Sequence, residues 1–133
     1  MEYRGTVNTV ELIGWLGQDP EMRFTPQGTA VTTISVATKR PSHANGEIKT
    51  DWITVEAWEK LAEQINTHLR KGSRVRVVGY LVTSSGIVNF IAEQVLWYHR
   101  RHDNHTILTL LQGLSLSGRD HLSRGLALLS LLP

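Results

Sequence analysis

Cysteine is absent from the 133 residues, which excludes disulfides and thiolate metal sites and suits a reducing compartment. Long apolar runs are missing too. No stretch reaches the roughly eighteen uncharged apolar residues of a spanning helix, and the start, "MEYRGTVNTVELIG", has neither the basic opening nor the apolar core of a secretory leader. These absences predict a cytoplasmic protein with no membrane partner. Charge of one sign is scarce: the net charge is +2. Residues 1–98 hold ten Lys/Arg against ten Asp/Glu, and residues 99–133 hold four Arg against two Asp. A nucleic-acid footprint therefore has to come from local clustering rather than total charge. There is no Gly-rich phosphate loop, no cysteine nucleophile and no carboxylate constellation, so nothing points to an enzyme. No cofactor is indicated.

What is present is a succession of strand patterns with one helical interruption. Residues 6–17 alternate, with Val10, Leu12, Gly14 and Leu16 on one face and Glu11, Ile13 and Trp15 on the other. Asp19-Pro20 ends this run, and "PQG" at 26–28 is a turn signal. Residues 29–38, "TAVTTISVAT", are rich in β-branched side chains and predict a second strand. Residues 39–50, "KRPSHANGEIKT", read as a polar loop with an Asn-Gly tip. Residues 51–58 alternate again. Over 59–70 the period becomes helical, with Leu61, Ala62, Ile65 and Leu69 on one stripe and Gly72 as the expected C-cap. Residues 74–83 and 87–98 predict two more strands around a short "SSG" turn.

Five strands with a helix between the third and fourth are the elements of an all-β, five-stranded OB-fold barrel. Gly14 and Gly17 suit the bends that closing such a barrel needs. On the third strand Trp52, Thr54, Glu56 and Trp58 share one face, and Ile53, Val55 and Ala57 supply the core from the other. The two tryptophans stand about 20 Å apart along an extended strand. Binding single strands without sequence preference needs aromatic faces for bases and cations for phosphates. Trp52 and Trp58 are therefore candidates for stacking, with barrel core as the alternative reading.

The blocks "VNTVELIGWLGQDPEMRFTPQGTAV", "ISVAT", "TDWITVEAWEKLAE" and "LRKGSRVRVVGYL" resemble, in order and spacing, the bacterial-type single-stranded DNA-binding protein (SSB) family, over about residues 4–98. The resemblance implies a non-catalytic OB-fold that binds single-stranded DNA in replication, recombination and repair. It also implies a homo-oligomer, tetramer or dimer, in the cytoplasm on the nucleoid. It matches Trp52 and Trp58 to aromatic positions of the family, and Lys60 and Lys71 to basic ones, with Arg70 adjoining. Lys39, Arg40 and Lys49 flank the loop that wraps the strand in the family, and Arg4 matches a basic residue near the family's N-terminus. Arg74, Arg76 and Tyr80 share the outer face of the fourth strand, where either DNA or another subunit is met. Trp15 replaces a usually polar or basic residue and either stacks or fills a subunit contact.

The departures from the pattern are specific. No aromatic follows the "AT" of the second strand, and the hairpin between the last two strands is cut to "TSSGIV". Two stacking platforms of the family are thus missing, which implies lower affinity and a smaller site. An alternative is a related interaction protein, of primosome type, with weak nucleic-acid binding. The division expected is an OB-fold domain over 1–98 and an atypical tail over 99–133. The tail lacks the family's acidic tip, so recruitment of replication proteins through such a tip is not expected. From 107 to 133 there are eleven Leu and no Glu or Lys. A Leu-rich helix over 119–132, a membrane-surface segment and a shifted reading frame are the readings open for it. Leu, Ser and Arg fill 17 of those 27 positions, as an untuned sequence would. His99, His102 and His105, with Asp103, have a spacing that metals use, but a solvated linker is the expectation and no metal is assigned.

Overall fold

The computed structural model describes residues 1–44, 46–112 and 128–131. A small hairpin, β1 (Glu2–Tyr3) with β2 (Thr6–Val7), precedes the main sheet. The sheet holds β3 (Val10–Leu16), β4 (Glu21–Phe24), β5 (Ala30–Pro41), β6 (Ile48–Trp58), β7 (Arg74–Ser84), β8 (Ile87–Arg100), β9 (Thr106–Gln112) and β10 (Leu128–Leu131). One helix, α1 (Glu59–His68), lies between β6 and β7.

Five of these strands close a ring. β6 pairs with β5, β5 with β3, β3 with β7 and β7 with β8, all antiparallel. A short parallel pairing of Val55 and Glu56 with Phe90 and Ile91 joins β8 back to β6. This is the OB-fold barrel that the element order predicts. β3 makes the corner, pairing with β7 over Val10–Trp15 and with β5 at Trp15 and Leu16. Gly14 permits it: a Cβ there would overlap the Ala37 carbonyl oxygen and lie 3.0 Å from Val36 Cγ1.

Inward-facing Leu16, Ile34, Val36, Val55, Val75, Val77 and Val95 form the core. Each such side chain contributes about 1.5–3 kcal/mol of burial. Helix α1 closes one end of the barrel with Leu61, Ala62, Ile65 and the adjoining Leu69, the stripe expected from the sequence. Thr32, fully buried, donates its hydroxyl to the Ala62 carbonyl at 2.8 Å and ties helix to sheet.

Several expectations are corrected. Gly72 is not the helix cap. The helix ends at His68, Leu69 is already extended, and its N–H bonds the Ile65 carbonyl. Gly72 lies further on, at φ +88, in a turn where the Ser73 N–H bonds the Arg70 carbonyl. The polar loop is only 42–47, because β5 and β6 run on past the barrel. Cross-strand partners hold this arm: Lys39 Nζ donates to Thr50 Oγ1 at 2.6 Å, and Arg40 Nε to Asp51 Oδ2 at 2.7 Å. The β7–β8 hairpin turns on Ser85 and Gly86, both at positive φ, the pair that a two-residue primed turn requires.

The stretch after residue 98 is also not a solvated linker. β8 continues to Arg100, a turn over 101–105 reverses the chain, and β9 pairs along β8 from Arg100↔Thr106 to Gln94↔Gln112. Ile107, Leu108, Thr109 and Leu111 are buried, Leu111 within the core. β10 pairs with β9, so residues 128–131 are strand rather than helix. The rest of the helix expected over 119–132 lies outside the described residues.

His99 does not join its neighbours around a metal. It stacks on Trp97 with ring centroids 3.9 Å apart, and its Nε2 shares a 2.6 Å hydrogen bond with Thr109 Oγ1. Burial, and then the charge of nearby His68, hold its pKa below the usual imidazole value. Among the described residues no three His, Asp or Glu side chains converge on a metal position. Nor is any helix among them long and apolar enough to cross a membrane.

Candidate nucleic-acid interface

The outer face of β5 and β6 carries the two tryptophans singled out above. In the register Trp52 opposes Ala37 and Trp58 opposes Val31, with Thr54 opposite Ser35 and Glu56 opposite Thr33 between them. Trp52 is 61% exposed and Trp58 40%. Neither belongs to the core, which Val55 and Ala57 supply from the other face. Trp58 sits at the start of α1, where Glu59 takes a left-handed φ of +58 to swing the chain into the helix.

Trp52 stands over the corner after β3. A Cβ on Gly17 would overlap the indole at Cζ3 and lie 2.9 and 3.1 Å from Cε3 and Cη2. Beside the ring is an open cavity of about 270 Å³ lined by Gly17, Gln18, Ser35 and Trp52. The corner is braced from below. Gly17 N–H bonds the Ser35 carbonyl at 3.0 Å, Gly72 N–H the Leu16 carbonyl at 2.9 Å, and Lys71 N–H the Asp19 carboxylate at 2.8 Å. The Arg70–Ser73 turn is thereby fixed against the segment on which Trp52 rests.

The cations expected from the sequence fall into different situations. Lys39 shares the tryptophan face, one step along β5 from the Ala37 opposite Trp52. Arg40 and Lys49 point to the other face of the arm, Arg40 paired with Asp51 and Lys49 with Glu47 at 4.0 Å. Lys60 pairs with Glu63 at 3.9 Å on α1. Lys71 is exposed, and its ammonium makes no ion pair among the described residues. Arg70 is engaged: its guanidinium donates to the Asn66 and Leu69 carbonyls and finishes the helix. Arg4 lies 5.3 Å from the Tyr3 ring centre in the N-terminal hairpin.

On the β3–β7–β8 face the expected cluster is otherwise occupied. Arg74 lies between its register partners Trp15 and Tyr98, 5.4 and 5.0 Å from their ring centres. Arg76 makes a two-nitrogen contact to the Glu11 carboxylate. Tyr80 is six residues from Arg74 along the same strand face, so the three do not converge.

Sequence reasoning missed Arg23. It is on β4, opposite Val31, and its guanidinium reaches Thr33 Oγ1 at 3.0 Å and Glu56 Oε2 at 3.4 Å. It thus sits on the tryptophan face and neutralises the one carboxylate that β6 places there. The alternation of "EMRF" was the available signal. The roles of Gly17, Gln18 and Ser35 around Trp52 were missed too, because nothing in a sequence says which ring stands over which glycine.

The profile of the Single-strand binding protein family matches residues 7–87, more than half of the chain. The chain belongs to this family. The match runs from β2 to the β7–β8 turn and includes both tryptophans, the Gly17 corner and the Arg70–Ser73 turn. A single-stranded DNA-binding protein of Halalkalibacterium halodurans is 42% identical over 80 residues, 59% of this chain and 48% of that protein. A single-stranded DNA-binding protein of Thermus aquaticus is 42% identical over 82 residues, 62% of this chain and 31% of that protein. The matches thus cover about half and about a third of those relatives' lengths, and β9 lies beyond the family match.

Proposed function

We propose that this chain binds single-stranded DNA largely without sequence preference and without catalysis. Bases stack on Trp52 and Trp58, and the backbone runs past Lys39, Lys60 and Lys71. Arg40 and Lys49 join when the strand reaches the β5–β6 arm. The observation that carries the reading is the pair of large indoles left in solvent on one sheet face, while the reverse face of the same strand is core. Folding alone gives no reason to expose both, whereas each stacked base is worth about 1–3 kcal/mol. Family membership and the names of the relatives support the same choice of ligand.

The paired cations do not oppose it. Exposed ion pairs are worth about 0–1 kcal/mol, so phosphates can exchange with Asp51, Glu47 or Glu63 at little cost. We assign the binding to residues 1–98, and to a homo-oligomer, tetramer or dimer, acting where replication, recombination and repair expose single strands. The test is a titration with a thymidine oligomer, following tryptophan emission at two salt concentrations with duplex DNA as control. Quenching by the single strand alone, weaker at the higher salt, is expected. No quenching at low salt by the folded protein would refute the reading.

A further inference from the structure

We propose that the tip of the β8–β9 hairpin, Arg100 with the turn over 101–105, is a further phosphate site that continues the single-strand path past the Lys71 turn. The inference rests on the single-strand reading above. It extends the path beyond residue 98, into a part of the chain outside the family match over residues 7–87.

The register places the tip. Arg74, the first residue of β7, opposes Tyr98 on β8. From His99 onward β8 has no partner on β7, and it overhangs that end of the barrel together with β9. Lys71 lies at the same end. Its turn, Arg70–Ser73, feeds β7 at Arg74 and is bonded to Leu16 through the Ser73 carbonyl and the Gly72 N–H. β3 and β8 flank β7 there, two strand spacings or about 10 Å apart. A strand that leaves Trp52 over the Lys71 turn meets the hairpin tip next.

The tip holds its shape. The Arg101 N–H bonds the His105 carbonyl at 2.9 Å, and the Asn104 N–H bonds the Arg101 carbonyl at 3.0 Å. Asn104 takes the left-handed φ of +68 with which a hairpin loop of this kind ends, a conformation that Asn adopts more readily than most residues. Behind the turn His99 stacks on Trp97 and bonds Thr109, and Leu111 anchors β9 in the core. A cation held in place gives up less freedom on meeting a phosphate than one on a loose segment.

The charges are available. Arg100, Arg101, His102 and His105 are all exposed. The Arg100 guanidinium makes no ion pair or hydrogen bond among the described residues. Arg101 faces Asp103 at 3.9 Å, an exposed pair that a phosphate displaces at little cost. Asp103 also accepts the His105 N–H at 3.1 Å, so the one carboxylate of the tip serves the turn. No acidic residue follows on β9. Adjacent cations with so little opposing charge favour an anion, and the strand bound on the neighbouring face is the polyanion within reach.

The experiment compares Arg100→Ala/Arg101→Ala with the wild type on a labelled thymidine oligomer of about 35 nucleotides, long enough to run past one barrel. Anisotropy is read across a salt series, with thermal unfolding as a check on the fold. Loss of both phosphate contacts should lower the slope of log K against log salt by about 1.4 and weaken binding about fivefold at low salt. Arg100→Lys/Arg101→Lys keeps the charges and should keep the wild-type slope. Arg76→Gln removes a cation from the β3–β7–β8 face and should leave the slope unchanged. The proposal is overturned by an unchanged slope in the alanine variant, by a lysine variant that binds no better than it, or by an equal loss per cation in Arg76→Gln. If the alanine variant unfolds at a lower temperature, Arg100→Gln leaves the turn untouched and should lower the slope by about 0.7; no change there overturns the proposal equally. Wild-type protein that fails to bind the oligomer at any salt would instead refute the single-strand reading itself.

Discussion

Two faces of one barrel each display a tryptophan among cations, and they differ in what the tryptophan is doing. On the β5–β6 face no cation among the described residues stacks on the Trp52 or Trp58 ring, and the nearby Arg23 is turned to Glu56 and Thr33. On the β3–β7–β8 face Arg74 already lies against Trp15 and Tyr98, and Arg76 is held by Glu11. Trp15 at 46% exposure is slightly more open than Trp58 at 40%, so exposure does not separate the two faces. Occupancy does. A base that stacks on the side of the ring already held by a guanidinium displaces that contact, which lowers its net gain by about 0.5–1 kcal/mol at an exposed site.

The largest expected difference between the faces follows directly. Trp52→Ala and Trp58→Ala should each weaken binding of a single strand by roughly 1–3 kcal/mol, measured by anisotropy. Trp15→Ala should leave that binding nearly unchanged. Arg23→Ala should cost less, about 0.5–1 kcal/mol of binding, because it leaves Glu56 unpaired on the face where phosphates pass. Glu11→Gln, which frees Arg76 on the other face, should not strengthen binding in the same assay.

Stability sharpens the contrast further. Glu59 holds a left-handed φ of +58 immediately after Trp58, a conformation costing an L-residue roughly 1–2 kcal/mol. Glu59→Gly should therefore raise the unfolding free energy by about 1 kcal/mol in denaturant titration. The smallest effect concerns His99, whose ring stacks on Trp97. Its folded pKa is depressed by burial and by His68, so below pH about 6.5 the unfolded chain binds the proton more readily. Its contribution is complete above that pH and is lost as the pH falls toward the folded pKa. Denaturant titrations at neutral and mildly acidic pH should show the fall, and His99→Gln should reduce it.

Much of the barrel was legible because its strands are half-buried. Val55 and Ala57 alternate with Thr54, Glu56 and Trp58, and a period of two fixes which side is core. The α1 stripe was legible for the same reason at a period of 3.6. What could not be read depends on partners distant in sequence. The arm of β5 and β6 looked like a loop because most of its residues are polar, whereas the β5–β6 ladder continues through it to Pro41↔Ile48 and Lys39 with Thr50 and Arg40 with Asp51 bond across it. β9 was obscured by the His-rich turn before it and by its own composition, because Leu108 and Leu110 stand between Ile107, Thr109 and Leu111 and leave no apolar–polar alternation. Trp52 and Trp58 were assigned to one face by spacing alone, but Arg23 reached that face through β4, whose pairing no local pattern declares. Arg70 and Lys71 were adjacent cations in the sequence, and the fold separates them by giving Arg70 to the end of the helix.

The most direct test of the account is a comparison of the two faces in one assay. Trp52→Ala/Trp58→Ala and Trp15→Ala proteins, each shown to be folded, are titrated with the same thymidine oligomer beside the wild type. The double variant should lose most of its affinity, and Trp15→Ala should bind nearly as the wild type does. A double variant that binds normally, or a Trp15→Ala protein that loses as much, would contradict it.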